Sequence, residues 1–327
     1  MDKNGKNEIE LPIYTELDKT IEYLSEIFSD WGDIVKKRFE LSRHGSDCSI
    51  YIMYVDGLTD NEMVERTITH PLLYEWRDKL KSGNEKIEYD EIFYRETEAV
   101  DMQEIYSLRE AVFGILQGDT AIFIDGQDKG ILLSTKKYPV RSIGAPEKES
   151  GLKGPRDSFN ESFRNNTALL RRRIKDAKFK LEQGTVGSRT RTLYGIMYME
   201  DLVEPELLDR IREKLSSFVI DGILDSGMLV HLLEDKWYSP FPQVQTTERP
   251  DKAASAVLEG RVVLVVDNSP EVIILPATLN TFFQAADDYY NRFAVGTFAR
   301  MIRYIAAYIT VLLPGLYVAI TCFYPQV

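Results

Sequence analysis

The uncharged run at residues 304–324 constrains this chain more than any other feature. It reads YIAAYITVLLPGLYVAITCFY, twenty-one residues without a charge, and the chain stops three residues later. An α-helix rises about 1.5 Å per residue, so the run matches a hydrocarbon core of roughly 30 Å. We therefore predict a membrane-spanning helix, with a buried core helix as the alternative. The short stretch after it predicts that the chain is the front part of a longer membrane protein.

The rest of the chain has the composition of a folded, acidic, water-soluble region. Of its 327 residues, 28% are charged and 44% hydrophobic, and the net charge is −12. This length and composition predict two domains with a sizeable core. A strongly acidic chain without a long basic tract argues against nucleic acid as a partner.

Three observations predict that the soluble region lies in the cytoplasm. The two cysteines, Cys48 and Cys322, are far apart and give no disulfide framework, which suits a reducing compartment. The N-terminus MDKNGKNEIELP lacks the apolar core of a signal peptide. Arg292, Arg300 and Arg303 precede the uncharged run, and positive charges tend to stay on the cytoplasmic side.

The periodicity predicts an α/β (α+β) fold in which one order of elements occurs twice. After a first helix in LDKTIEYLSEIFSD, the first copy has a strand at 49–55, helices at 60–81 and 101–117, and the hairpin TAIFID–KGILLS. The second copy has a strand at 193–199, a helix in PELLDRIREKLSSF, helices at 227–234 and from Pro250, and the hairpin VVLVVD–EVIILP.

The two copies align at a nearly constant offset. YVDGL at 54–58 matches YMEDL at 198–202 with an offset of 144, and Gly118 matches Gly260 with an offset of 142. We interpret this as two related mixed α/β subdomains that arose by duplication. The alternative is chance similarity between common strand–turn–helix patterns.

These patterns predict five segments, with a linker helix between the subdomains and a transmembrane helix at the end. They are a weakly ordered N-terminal segment and helix at 1–30, a first subdomain at 31–140, a linker loop and basic helix at 141–185, a second subdomain at 186–295 and a first transmembrane helix at 301–327.

The linker helix carries its own start signal. Ser158 and Glu161 have the spacing of a capping box. An apolar stripe follows at Phe159, Phe163, Leu170 and Ile174, and a basic face at Arg171, Arg172, Arg173, Lys175, Lys178 and Lys180. The stripe predicts a helix packed between the subdomains. Its cationic face is either solvated or in contact with anionic lipid headgroups or an acidic subunit.

No sequence motif predicts catalysis, a cofactor or a metal site. The Walker A, dinucleotide-binding and H-E-x-x-H patterns are absent, and His44, His70 and His231 lack metal-ligand spacing. DGQDKG at 125–130 resembles part of a calcium loop but lacks the closing glutamate, and a hairpin turn accounts for it. We therefore expect a non-enzymatic protein.

Two short motifs place a proline beside an arginine. They supply the candidate interface or switch residues, which are Gly154, Pro155, Arg156, Asp157, Thr247, Glu248, Arg249, Pro250 and Asp251. Arginine presents a fork of five donors that holds carbonyls or a carboxylate in fixed geometry. The motifs therefore predict either locked loops at a domain junction or a subunit interface that senses events in the membrane region.

Several longer segments resemble the A subunit of GerA-type spore germinant receptors of endospore-forming Firmicutes. They are GPRDSFNESFRNNTALLRRRIK (154–175), DGILDSG (221–227), FPQVQTTERPDKAASAVLEGR (241–261), VDNSPEVIILPAT (266–278), DDYYNRF (287–293), RMIRYIA (300–306) and LPGLYVAI (313–320). The resemblance covers about residue 30 to the end. Lys153 departs from it, because the family usually has arginine there, and this puts a bidentate contact in doubt.

This resemblance implies a signal-transduction subunit in the spore inner membrane, with a cytoplasmic N-terminal region and a bundle of membrane helices. It implies a permease-like B subunit that recognises the nutrient, a lipoprotein C subunit, oligomers of A subunits and an ion-conducting path. The nutrient is not specified.

Two alternatives stay open at this point. One is the small-molecule-binding cytoplasmic domain of an unrelated membrane transporter. The other is a ligand-binding module with polar groups around Asp56, Asp201 and Glu248 near the strand ends.

Overall fold

The structure is a computed structural model that describes residues 11–43, 46–71, 101–137, 149, 154–235, 238–239, 241–285, 287–290 and 292–323. The helices are α1 (Leu17–Ile27), α2 (Asn61–Val64, continued by a π-helical turn at Glu65–Thr69), α3 (Leu108–Leu116), α4 (Phe163–Arg173), α5 (Pro205–Ser217), α6 (Ser226–Leu233), α7 (Pro250–Leu258), α8 (Leu279–Phe282), α9 (Asp287–Tyr290) and α10 (Phe293–Phe323). The strands are β1 (Ile34–Arg43), β2 (Ser46–Val55), β3 (Met102–Ile105), β4 (Thr120–Ile124), β5 (Gly130–Leu133), β6 (Phe179–Val186), β7 (Thr192–Met199), β8 (Gln245–Thr247), β9 (Val262–Val266) and β10 (Val272–Leu275).

The strands form two antiparallel sheets with the same internal order. The first sheet runs β1-β2-β4-β5-β3, and the second runs β6-β7-β9-β10-β8. In each sheet the first two strands pair, the last two form a central hairpin, and the third strand closes the far edge. The predicted fold of two related mixed α/β subdomains is confirmed.

The register also repeats. Met53 pairs with Ala121 in the first sheet, and Met197 pairs with Val263 in the second. These pairs are related by the offsets of 144 and 142 that align the sequence. Because a slip of one residue would turn every side chain to the other face, a shared register is a stringent similarity. It supports the duplication.

Two glycines occupy matching positions in the two copies. Gly118 and Gly260 have φ of +93° and +83°, where side chains are strained. A Cβ at Gly118 would lie 2.9 Å from the Leu58 carbonyl oxygen, and one at Gly260 would lie 2.6 Å from that of Leu202. The two positions therefore require glycine for the same reasons.

Helices cover both faces of each sheet, which explains why the central strands are almost wholly apolar. Around the first sheet, α1 and α3 pack on one face, and α2 with its π-helical turn packs on the other. Around the second, α4 and α7 pack on one face, and α5 and α6 on the other. A strand buried on both faces needs continuous rather than alternating hydrophobicity.

The sequence missed four strands. The predicted helix at 101–117 is wrong in its first part, because residues 102–105 form β3 before α3 begins at Leu108. β1, β6 and β8 were not predicted. The predicted helix at 60–81 extends beyond the described residues. The predicted linker boundary at 185 falls within β6, a strand of the second sheet.

The linker helix begins later than predicted. Ser162 caps α4 by accepting a bond from the Asn165 amide, whereas the Ser158 hydroxyl donates to the Glu248 carbonyl. The capping box predicted at Ser158 and Glu161 is therefore wrong. The predicted apolar stripe on this segment is buried, from Phe159 to Ile174.

A buried ion pair joins α4 to the first subdomain. Arg171 donates from Nε and Nη2 to the two Asp33 carboxylate oxygens, each at 2.9 Å, and both side chains are 1% exposed. The guanidinium lies 3.4 Å from the centre of the Trp31 ring. The Trp31 indole in turn donates to the Ala177 carbonyl at 3.0 Å. The predicted solvated basic face is thus wrong at Arg171, which is buried between the subdomains.

The C-terminal helix α10 is longer than the uncharged run. It has 31 residues, or roughly 46 Å, and continues through Pro314. Among the described residues it is the one helix long and apolar enough to cross a membrane by length and composition, and none of its apolar window is buried. The start predicted at 301 lies eight residues inside this helix.

Candidate functional site

The two proline–arginine motifs meet in the second subdomain. The Ser158 hydroxyl and the Phe159 amide both donate to the Glu248 carbonyl oxygen, at 3.1 Å and 2.8 Å. Glu248 follows β8 and precedes α7. This contact therefore fixes the loop before α4, which we call the connector, against the N-terminal end of α7. The structure therefore brings together two motifs that lie 90 residues apart.

Arg249 forms the centre of a network that we call the polar junction, made of Glu149, Thr247, Arg249, Asp251, Lys252 and Tyr290. Arg249 donates from Nε and Nη2 to the two Asp251 carboxylate oxygens, at 3.1 Å and 2.8 Å. Its Nη1 donates to the Glu149 carbonyl at 3.3 Å. The side chain is 1% exposed, so its charge depends on these partners.

Glu149 ties the connector to the same network. Its carboxylate accepts from the Thr247 hydroxyl and from Lys252 Nζ, the latter at 2.5 Å. Thr247 Oγ1 accepts from the Arg249 amide at 3.1 Å. This last bond fixes the backbone at the start of α7, where Pro250 occupies the first helical position.

Tyr290 joins the polar junction to the segment that enters α10. Its hydroxyl donates to Asp251 Oδ2 at 2.7 Å. Burial and this bond raise the pKa of Tyr290 to about 12. Burial raises the pKa of Asp251, but the bonds from Arg249 and Tyr290 outweigh it and hold that pKa below its usual value. The carboxylate therefore stays ionised and accepts from both neighbours.

Gly154 lies against the same tyrosine. Its φ is +101°, and a Cβ there would approach Tyr290 Cε2 to 2.6 Å. A side chain at this position would push the ring away from Asp251. Asp157 accepts a hydrogen bond from Arg173 at the end of α4. Pro155 and Arg156, which were also predicted as site residues, are exposed at the surface.

A second ion-pair group, which we call the helix clamp, holds the start of α10. Arg303 donates to Asp288 at 2.9 Å and also to the Phe283 carbonyl, and Arg300 Nε lies 3.6 Å from the Asp288 carboxylate. Burial raises the pKa of Asp288, but the bonds from Arg303 and the Ala285 amide outweigh it and hold that pKa below its usual value.

Sequence reasoning missed Glu149, Asp288 and Tyr290 as members of these groups. Asp288 and Tyr290 lie in DDYYNRF, where aromatic and acidic residues together just before a membrane helix were the available signal. Glu149 lies in a charged loop whose pattern holds no such signal.

The arrangement is suited to holding segments together. A cleft of about 50 Å³ borders the polar junction, smaller than the usual ligand pocket of roughly 300 Å³ or more. Among the residues that the structure describes, no group of three or more His, Cys, Asp or Glu side chains has metal-binding geometry. Asp56 pairs with Arg164 and Asp201 pairs with Lys178, so these two carboxylates each have a partner of their own.

Comparisons with known proteins agree with this architecture. The family model described as Bacillus/Clostridium GerA spore germination protein matches residues 22–327. The chain is 33% identical to spore germination protein B1 and 32% identical to spore germination protein A1 of Bacillus subtilis, over 84% and 89% of its length. It is 32% identical over 96% of its length to the uncharacterized membrane protein YfkQ of that organism.

These matches cover 55%, 58% and 59% of the three relatives, so the chain spans somewhat more than half of their length. The crystal structure of the N-terminal domain of the A subunit of the Bacillus megaterium spore germinant receptor GerK3 is also similar. It superposes with a TM-score of 0.63 at 25% identity, covering 82% of this chain and 97% of that domain. The chain belongs to the GerA family of spore germination proteins.

Proposed function

We propose that this chain is the N-terminal part of the A subunit of a nutrient germinant receptor. In this role it couples events in partner subunits to the membrane region of a complex in the spore inner membrane. The family match and the likeness to a germinant-receptor A-subunit domain support the role. Family membership also argues against the alternative of an unrelated transporter.

The proposed partners are a permease-like B subunit, a lipoprotein C subunit and further A subunits. The proposed orientation places both subdomains in the cytoplasm. Arg292, Arg300 and Arg303 before the uncharged part of α10 favour that side. A relative named as a membrane protein supports the membrane location.

One observation carries the coupling mechanism: the polar junction and the helix clamp connect the second subdomain to α10 from both sides of α9. Asp251 on α7 holds Tyr290 at the end of α9, and Asp288 on α9 holds Arg303 on α10. These hydrogen bonds would therefore transmit a displacement of α7 relative to the membrane directly to α10. Coupling then requires two arrangements of this path that nutrient binding populates differently.

The substitution Tyr290→Phe in the full-length subunit tests this mechanism. It removes the hydroxyl that binds Asp251 and keeps the ring that packs on Gly154. We expect spores with normal subunit levels that germinate more slowly on nutrient, measured as the rate of loss of refractility. Tyr106→Phe is the matched control, because Tyr106 likewise donates to a carboxylate, Glu104, at 2.7 Å but lies in the first subdomain.

The result that contradicts the mechanism is equal germination rates for the Tyr290→Phe and Tyr106→Phe spores at equal subunit levels. Deleting the whole subunit tests the function separately. If deletion leaves germination on every nutrient unchanged, the receptor role is wrong whatever the tyrosine variants show.

A further inference from the structure

The short helix α8 lies beside the point where the uncharged part of α10 begins. The Tyr304 hydroxyl donates to Asn280 Oδ1 at 2.8 Å, and the rings of Tyr304 and Phe283 are 4.7 Å apart between centroids. Tyr304 is the first residue of the uncharged run, and Arg303 immediately precedes it. In a bilayer this turn of α10 marks the boundary between headgroups and hydrocarbon. α8 is therefore held at the same depth.

The outer side chains of α8 are apolar and exposed. Leu279 is 60% exposed and Phe282 is 45% exposed. Together with Phe241, 66% exposed, they line a groove of about 670 Å³ in the second subdomain. We call Phe241, Leu279 and Phe282 the apolar rim. Exposure of this apolar surface to water is unfavourable.

We propose that the apolar rim is a membrane-contact surface that rests on the lipid where α10 enters the bilayer. Its phenyl and leucyl side chains then lie in the boundary between headgroups and acyl chains, where amphipathic segments of peripheral proteins bind. The inference rests on α10 crossing the membrane, as in the proposed function, but assigns a separate contact outside α10.

A lipid surface fits the rim better than a protein partner because α8, which carries two of its side chains, contacts α10 at Tyr304, where the apolar part of α10 begins. The side chains of α10 that follow Tyr304 are themselves exposed and apolar, such as Leu312 at 64%. Charge does not direct the contact, since the groove is edged by both cations and acids, Arg210 and Lys214 with Glu204 and Asp235. We therefore expect the contact in neutral as well as anionic bilayers.

Spin labels on the chain in lipid vesicles test the proposal. Native cysteines Cys48 and Cys322 are replaced, and a nitroxide is attached through Leu279→Cys. Accessibility to oxygen, which concentrates in lipid, is compared with accessibility to a water-soluble nickel chelate. We expect the label on α8 to be reached preferentially by oxygen, by at least about threefold relative to a label exposed to water, in vesicles of phosphatidylcholine with or without phosphatidylglycerol.

Two matched labels set the scale. Phe113→Cys lies on α3 in the first subdomain, where Phe113 is 59% exposed, and gives the value for a label in water. Leu312→Cys on α10 gives the value for a label in lipid. If the label at residue 312 behaves as if in water, the membrane placement of α10 fails and the rim contact fails with it.

If residue 312 lies in lipid but residue 279 matches residue 113, the rim contact is wrong while the span stands. Exclusion of both reagents from residue 279 would show that protein covers the rim, and this also overturns the proposal. The three labelled positions are exposed, so the labels leave the core untouched and the labelled chains are expected to fold.

Discussion

Arg249 shows why a conservative substitution at one residue can matter in this molecule. The guanidinium uses separate donors for the two oxygens of Asp251 and for the carbonyl of Glu149, which lies 100 residues earlier in the chain. Lysine keeps the charge but not the fork. The motif was predicted as either a locked loop or an interface, and the described contacts favour the locked loop. The interface role stays a prediction.

Arg249→Lys and Arg249→Ala should both destabilise the chain, by different amounts. Removing the charge leaves Asp251 without its main partner and should cost about 3 kcal/mol, in the range for broken buried pairs. Lysine should cost about half as much, because one donor can still reach one carboxylate oxygen. Urea unfolding followed by circular dichroism measures both. Equal stability of the Arg249→Ala variant and the unsubstituted chain would show that the network contributes nothing to folding.

The bond from Tyr290 to Asp251 should vanish at high pH. A tyrosine whose pKa is raised to about 12 in the folded chain contributes stability that is fully present below its unfolded value near 10 and is lost as pH rises towards 12. The stability difference between the unsubstituted chain and Tyr290→Phe, about 1 kcal/mol at pH 8, should therefore disappear between pH 10 and 12. Unfolding free energies of both chains over this range measure it.

The same bond depends on an ionised Asp251. Its folded pKa is depressed, so its contribution is present above the unfolded value near 4 and lost as pH falls through the folded value. A stability difference between the two chains that stays constant from pH 8 to pH 12 would contradict the assignment of Tyr290 as the donor.

At the scale of elements, α4 is shared by both subdomains. Its apolar stripe packs on the second sheet, while Ala168 packs with the first core and Arg171 binds Asp33. A Gly/Pro-rich connector suggests a hinge between the halves, but this buried ion pair ties them together directly. Movement between the subdomains would have to break both bonds from Arg171 to Asp33.

Arg171 and Asp33 should show strong coupling in a double-mutant cycle. Arg171→Met or Asp33→Asn alone should cost about 3–5 kcal/mol, since each leaves a buried charge unpaired. The double variant should cost less than the sum, because neither charge remains. Arg172→Ala, on the exposed side of the same helix, should change stability by less than about 0.5 kcal/mol. Additive costs for the pair would exclude a direct coupling.

Elements with strong local signals were predictable, and those that depend on a partner were not. The hairpins β4–β5 and β9–β10 were predicted because apolar runs flank Gly or Asn–Ser turns. The edge strands β1 and β8 are polar or short, so only the neighbouring strand shows that they belong to a sheet. The basic pattern of α4 extends as far as Lys180 in β6, so the sequence predicts helix where the structure has the start of this strand.

The candidate site was half predictable for the same reason. Proline beside arginine pointed to residues 154–157 and 247–251, but a sequence does not show which distant groups fill a buried fork. Glu149 and Tyr290 reach Arg249 and Asp251 only through the fold.

At the scale of the whole molecule, the repeat of one topology makes its special positions testable in pairs. Gly118→Ala and Gly260→Ala should each cost about 2 kcal/mol, because both place a Cβ at positive φ against a carbonyl. Gly126→Ala is the control, since it has φ of +83° but no atom within 4 Å of the added Cβ. Gly126→Ala should therefore cost less than the other two substitutions, because it adds the strain at positive φ without a close contact. Thermal unfolding of the three variants measures this, and unequal costs at the first two sites would weaken the structural equivalence.

The apolar part of α10 lies on the outside of the part of the chain that the structure describes. A chain ending at residue 303 keeps the helix clamp and loses the exposed apolar part, so it should be soluble without detergent and melt within a few degrees of the longer chain. Size-exclusion chromatography and calorimetry check both properties. Aggregation of the shortened chain would show that the removed part of α10 also keeps the two subdomains from aggregating.

The matching register of the two sheets places Ser107 and Arg249 at equivalent positions before α3 and α7. Ser107 caps its helix with a hydroxyl and forms a capping box with Glu110, whereas Arg249 holds Asp251 and the connector. After a gene segment is doubled, one copy can retain an ancestral scaffold while the other diverges under new selection. In this chain the first half uses the position to start a helix, and the second half uses it to attach the segments on either side of α7. Equivalent positions of the two copies thus serve different purposes, a local cap in one and a long-range attachment in the other.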